Sequence, residues 1–199
     1  FFREQGYHFY ALELRKYGRS LLPHQRPNYA RDLREYFADI DAAIDYIRQQ
    51  GQETILLNGH STGGLTGSLY AAQGEQREQI AGLILNSPFF TFRSSGAEKA
   101  GINLFASLGR FYKNAYVPME SEGVYGRSIH QDYQGEWDYN FTWKPLAGFP
   151  LYYAWLRAIR RGHRQVKRGL ELDIPVLVLR SDKSWREETF APEAMQADA

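Results

Sequence analysis

The sequence predicts an α/β fold: a mostly parallel sheet flanked by helices, with an inserted helical and irregular cap. Two observations carry this. The runs 8–14, 54–57, 80–85 and 174–179 are short and near-continuously apolar, as in strands covered by helices on both faces. From residue 8 to 85 these runs alternate with segments of helical character, the order that right-handed crossovers produce.

The elements follow in order. His8 to Leu14 is an aromatic, apolar run after Gly6 and reads as a buried strand. Arg15 to Asn28, with Gly18, Pro23 and Pro27, reads as loop. Asn28 can cap a helix running to Gln50, where Gly51 stops it. Leu33, Phe37, Ile40, Ile44 and Ile47 form its single apolar stripe. Thr54–Leu57 reads as a strand, Thr62–Gln73 as a helix of small residues, Ile80–Leu85 as a strand, and Ile174–Leu179 as a last strand. Residues 89–172 break the rhythm with aromatic and glycine-rich loop and helical stretches near 98–114 and 148–168, which reads as a cap. The expected division is therefore core at 1–88, cap at 89–172 and core again at 173–199.

Composition narrows the function classes. The chain has 199 residues, enough for one domain with an insertion. Lys and Arg total 24 against 23 Asp and Glu, so a net charge of +1 gives no global pull toward nucleic acid. The absence of cysteine excludes a disulfide framework, thiolate metal ligands and a cysteine nucleophile. It leaves the compartment open, with a cytoplasmic location favoured. No apolar run approaches the roughly 18 residues of a membrane-spanning helix. Phe1, Phe2 and Gly6 read as the last turn of a helix, and Ala191–Ala199 has no closing element, so both ends read as cut from a longer chain. No signal-peptide pattern is visible in the segment.

One motif carries chemistry. Gly59-His60-Ser61-Thr62-Gly63 is G-x-S-x-G, placed between an apolar strand and a small-residue helix. A nucleophilic serine needs that context: a tight turn lifts its hydroxyl above the sheet edge and crowds the positions two residues either side, hence Gly59 and Gly63. The helix start aims N–H groups at developing negative charge, and Thr62 N–H is the expected oxyanion donor.

Several segments together resemble the α/β-hydrolases, in the branch of serine aminopeptidases, monoacylglycerol lipases and lysophospholipases. Ala11 to Ser20 is similar to that branch's D-x-R-G-x-G-x-S loop, Leu56 to Gly64 to its L-x-G-H-S-x-G-G elbow, and Leu83 to Pro88 and Pro175 to Leu179 to the following strands. The resemblance implies a partial α/β-hydrolase fold with Ser61 as nucleophile. It implies an acid after the strand 174–179, which leaves Asp182 or Asp198; Asp173 precedes that strand. The family's H-G oxyanion motif and its catalytic histidine have no counterpart here, so the 199-residue chain is expected to be inactive by itself. The implied activity is hydrolysis of carboxylic esters, lipid-like ones of lysophospholipid or monoacylglycerol type. The alternatives are a non-catalytic binding module on the same fold and a serine aminopeptidase.

The remaining candidates are weaker. His60 is expected to shape the elbow with its side chain turned from that of Ser61. His8 is expected in or beside the core, His24 in solvent, and His130 and His163 in the cap. No H-x-x-H or H-E-x-x-H spacing occurs, so neither a metal nor a cofactor is expected. Arg157, Arg160, Arg161, His163, Arg164, Lys167 and Arg168 form a basic run that reads as a solvated helix face or as a surface for anionic head groups and peripheral membrane contact. The cap aromatics Tyr112, Tyr116, Tyr125, Tyr133, Trp137, Tyr139, Phe141 and Trp143 either line an acyl pocket or give the cap its own small core.

Overall fold

The structure, a computed structural model, describes residues 1–92, 94–117 and 123–182. A 3₁₀ turn at Leu33–Tyr36 leads into α1 (Phe37–Gln49), followed by β1 (Ile55–His60), α2 (Thr62–Gln73) and β2 (Ile80–Asn86). Then come α3 (Gly96–Leu108), β3 (Tyr116–Val117), α4 (Val124–Ile129), β4 (Leu151–Tyr152), α5 (Tyr153–Arg168) and β5 (Val176–Leu179). Strands β1, β2 and β5 form a parallel sheet in that order, and β3 and β4 an antiparallel ribbon.

The apolar stripe that runs through the 3₁₀ turn into α1 behaves as its spacing requires: Leu33, Phe37, Ile40 and Ile44 are buried. The helix starts later than the Asn28 cap predicts. Asn28 has φ +58° and cannot lead into the helix from there. Asp32 caps instead, accepting the Arg34 N–H at 3.1 Å, while the Glu35 carboxylate accepts the Asp32 N–H at 3.2 Å. Asn28 has Arg31 three residues on, so it lacks the acid that completes this reciprocal cap.

The first predicted strand is not formed. Tyr7 to Leu12 are exposed, His8 with them, and no ladder joins residues 8–14 to β1 among the described residues. Apolar content alone does not make a strand; N–H and C=O groups need a neighbour to pair with. Leu14 does pack on the main core.

Coverage on both strand faces is also only partly realised. In β1, Ile55 and Gly59 are buried, with Leu57 between them, and these alternate with exposed Leu56, Asn58 and His60. Strand β5 is exposed throughout, pairing with β2 alone. Helices α1, α2 and α5 contribute to one core cluster, whereas Leu56 and β5 face outward among the described residues. Among the described residues, the helix layer therefore covers the inward face.

Helix α5 closes that core. A Cβ on Gly162 would lie 3.0 Å from Leu33 and 3.2 Å from Leu69, so the glycine lets α5 sit directly on α2 and the 3₁₀ turn before α1. The basic run lies on the opposite side of this strongly amphipathic helix, with Arg161 paired to Asp32 at 3.3 Å. His163 turns inward, packing on Phe89 and Phe92.

Candidate active site

Strand β1 delivers Ser61 to the carboxyl edge of the sheet. Ser61 has φ +50° and ψ −118°, a conformation unfavourable for a residue with a Cβ, and Thr62 opens α2 directly after it. Three backbone hydrogen bonds hold the turn. The Ser61 N–H donates to Asn86 O at 3.1 Å, and the Ser61 carbonyl accepts Leu65 N–H at 3.2 Å and Phe89 N–H at 2.9 Å. The end of β2 and the residues beyond it thus clamp the strained residue from both sides.

The glycines divide the work unequally. A Cβ on Gly59 would lie 2.6 Å from Gly63 O and 2.8 Å from Gly64 N, which is impossible without moving backbone. A Cβ on Gly64 would meet Pro88 at 2.9 Å. A Cβ on Gly63 would meet nothing within 4 Å. This corrects the sequence reading at Gly63: its backbone is what crowds Gly59, and its own hydrogen faces open space.

Chemically, the first turn of α2 offers N–H groups. Thr62 N–H has no backbone acceptor among the described residues. The helix dipole reinforces it as a donor to negative charge. Among the described residues no side chain hydrogen-bonds the Ser61 hydroxyl.

The histidines are placed elsewhere. His60 alternates to the outward face of β1, where its Nδ1 lies 3.1 Å from Asn86 O. His130 is buried between Tyr139 and Phe141; Asp132 N–H donates to its Nδ1, so its Nε2 carries the proton and donates to Tyr139 O at 3.2 Å. His163 Nε2 lies 2.8 Å from Phe89 O, and burial lowers its pKa, with Arg160 adding to the effect. His8 and His24 are exposed. No cluster of three potential metal ligands occurs among the described residues.

Asp182 is exposed, three residues beyond the end of β5. Leu179 pairs with Asn86, which pairs with His60, so the β5 end lies at the same sheet edge as Ser61, two strands across. Asp198 lies outside the described residues.

A cleft of about 270 Å³ opens beside the elbow, with Thr62 and Gly63 in its wall. Leu14, Leu33, Trp155 and Ile159 make it apolar, with Tyr17, Tyr36 and Thr66 also in its wall. Sequence reasoning missed it, because its walls come from segments far apart in the chain. Of the tryptophans and tyrosines in the expected cap, 89–172, Trp155 of α5 lines it, whereas the eight loop aromatics named above do not. Tyr133, Tyr139 and Phe141 instead gather around His130 as a small cluster within the cap.

The sequence profile of the family described as serine aminopeptidase, S33, matches residues 1–185. Among solved structures, the monoacylglycerol lipase of Paleococcus ferrophilus superposes with a TM-score of 0.60 at 19% identity, over 85% of this chain and 60% of that one. A soluble variant of monoglyceride lipase from Saccharomyces cerevisiae, in complex with a substrate analog, gives a TM-score of 0.61 at 16% identity, over 83% of this chain and 56% of that one. The chain thus spans less than two thirds of either lipase, and at these identities the likeness is one of fold. Among curated proteins, none matches the chain by sequence. With its parallel sheet and strand-to-helix elbow, and with a family profile that runs along nearly its whole length, the chain belongs to the serine aminopeptidase S33 family of α/β-hydrolases.

Proposed function

We propose that the protein is a serine hydrolase of carboxylic esters, acting on lipid-like substrates of monoacylglycerol or lysophospholipid type. The observation that supports this most is the backbone of Ser61, strained at positive φ between β1 and α2 and clamped by Asn86 and Phe89. Strain of this kind persists only where the surroundings enforce it, and here it presents a hydroxyl at a helix N-terminus. In this reading Ser61 Oγ attacks the ester carbonyl carbon. The alcohol departs with a proton, and water then releases the acyl group from Ser61. Thr62 N–H stabilises the oxyanion. Asp182 is the candidate acid by its place at the sheet edge, and Asp198 the second candidate. Residues 1–88 and 173–199 make the hydrolase core and 89–172 the cap, with α5 as the part of the cap that rests on the core.

The description of the matched family favours a second reading, an aminopeptidase on the same machinery. Both are tested by labelling the whole protein with a fluorophosphonate and assaying p-nitrophenyl esters of graded chain length beside aminoacyl amides. Ester turnover that Ser61→Ala removes is expected. Labelling that survives Ser61→Ala would place the nucleophile elsewhere. A folded whole protein that takes no label would instead be a binding module.

A further inference from the structure

Helix α5 gathers positive charge on its outer side and has no acid to balance it. Its cations are Arg157, Arg160, Arg161, Arg164, Lys167 and Arg168, and it contains no Asp or Glu. The whole chain stands at only +1, so the charge is concentrated here. At about 100° per residue, Arg157, Arg164 and Arg168 lie opposite the buried Trp155, Ile159 and Gly162, with the other three cations on the flanks. A helix face that is merely solvated gains from opposite charges three or four residues apart, and like charges at that spacing repel. Here every charged pair at that spacing is cation on cation. Burial, with Arg164 adding to it, lowers the Arg160 pKa. Among the described residues only Arg161 of the six pairs with an acid, Asp32, which Arg34 also holds. Glu171 and Asp173 follow the helix in exposed positions and make no ion pair with it among the described residues.

An apolar edge adjoins this face. Residues 109–115 wrap the first turn of α5: Tyr153 N–H donates to Ala115 O at 2.8 Å, and Gly109, lacking a side chain, lets its backbone rest on that of Tyr153. The wrap turns Arg110, Phe111, Tyr112 and Lys113 to solvent, with Phe111 75% and Tyr112 63% exposed. Arg110 stands over the Phe111 ring at 5.8 Å, and no Asp or Glu occurs from residue 99 to 117. Phe111 and Tyr112 belong to neither core cluster. Exposed aromatic rings set among cations suit the boundary between head groups and acyl chains. A nucleic-acid duplex would use the cations and leave Phe111 in water.

We propose that the outer face of α5 and the turn 110–113 dock on an anionic phospholipid bilayer, the cations at the head-group phosphates and Phe111 and Tyr112 at the acyl boundary. The apolar side of α5 stays in the core, so the contact is electrostatic with a shallow aromatic anchor, not insertion of the helix. Trp155 and Ile159, on the opposite side of α5, wall the cleft beside Ser61. Docking therefore holds that cleft about one helix diameter, roughly 10 Å, from the head groups. This goes beyond the ester-hydrolase reading and does not depend on it.

The test needs no turnover. The whole protein carrying Ser61→Ala is sedimented with vesicles of phosphatidylcholine alone and with vesicles containing about 30% phosphatidylglycerol. Binding to the anionic vesicles only is expected, with a steep fall between about 0.1 and 0.5 M NaCl. Changing the exposed Arg164, Lys167 and Arg168 together to Gln should weaken it about a hundredfold, at roughly fivefold per cation. Phe111→Ser with Tyr112→Ser should weaken it about tenfold or more. Melting temperatures show which variants fold, and the two sets lie at opposite ends of the face, so either one decides. Hydrogen exchange of the bound protein should slow at 110–114. Equal binding to phosphatidylcholine, no binding to anionic vesicles, unchanged binding by a folded variant, or protection that spares 110–114 would each overturn the proposal. So would tighter binding of a DNA duplex than of the anionic vesicles at equal ionic strength, which would make the face a nucleic-acid surface. These outcomes are independent of the Ser61 labelling above, and either reading can fail while the other stands.

Discussion

The carbonyl oxygen of Ser61 accepts the N–H of Phe89 at 2.9 Å, which ties the strained residue to the first segment beyond β2. The strain is borne by the Cβ, because glycine adopts φ +50° freely. Ser61→Gly should therefore stabilise the fold by about 1 kcal/mol, the relief of strain exceeding the added freedom of the unfolded chain. It should at the same time abolish fluorophosphonate labelling. Chemical denaturation of the two proteins decides this, and a less stable Ser61→Gly would mean that the turn carries no stored strain.

Gly59 and Gly63 should separate sharply under substitution. Gly59→Ala drives a methyl into the Gly63 carbonyl at 2.6 Å, backbone against backbone, and should cost about 3 kcal/mol or more. Gly63→Ala meets open space and should change stability by less than about 1 kcal/mol, since alanine is the better helix former. Thermal melts of both variants check the contrast; similar losses would restore the symmetric crowding that the motif alone suggests.

These glycines show where the sequence could and could not be read. The elbow was legible because strand, motif and small-residue helix are contiguous, and α2 spans Thr62–Gln73 as its composition implies. What failed was long-range. Residues 8–14 have the content of a strand but no pairing neighbour, and a single run cannot announce its partner. Asn28 is a plausible cap in isolation, but Asp32 wins because Glu35 completes the box. The cleft joins Leu14, Leu33, Thr66 and Trp155 across the chain, and only packing brings them together.

Arg15 fastens the segment that walls the cleft. Its Nε and Nη2 fork onto Asp39 at 2.9 and 2.7 Å, and its backbone N–H adds a third donor at 2.9 Å. The hydrogen bonds to Asp39 raise the Arg15 pKa, but the side chain is 41% exposed, so solvent screens part of the attraction. Asp39→Ala should cost about 1–2 kcal/mol, mainly through the lost charge-assisted bonds. Arg15→Lys should recover little, because an ammonium cannot fork. Urea unfolding of both variants tests this; a fully rescued Lys variant would show that charge alone matters.

His163 makes stability depend on pH. Its pKa in the fold lies below the ordinary 6.5, because burial beside Phe89 disfavours the cation. Above pH 6.5 both folded and unfolded chains hold it neutral, and its contribution is complete. As pH falls below 6.5 the unfolded chain takes up a proton that the folded one refuses, so stability drops until the folded value is passed. Asp32 and Glu35, whose pKa values are lowered, act only at more acidic pH, so the windows are distinct. The slope of stability between pH 6.5 and 5 should flatten in His163→Asn; an unchanged slope would assign it to another group.

The last expectation concerns residues 1–199 taken alone. A serine nucleophile needs a base, and each described histidine is committed or turned away. His60 lies against Asn86 on the outward face, His130 has both ring nitrogens bonded within the cap, and His163 is bonded to Phe89. His8 and His24 stand in solvent. With the base missing, the triad loses most of its acceleration, on the order of 10⁴ or more in rate, and Thr62 N–H preserves only a remnant. A folded 1–199 polypeptide should therefore show no Ser61-dependent turnover of p-nitrophenyl butyrate. Ser61-dependent turnover by the 1–199 polypeptide would mean that one of these histidines leaves its partner to serve Ser61, and substituting His130 and His163 singly would show which.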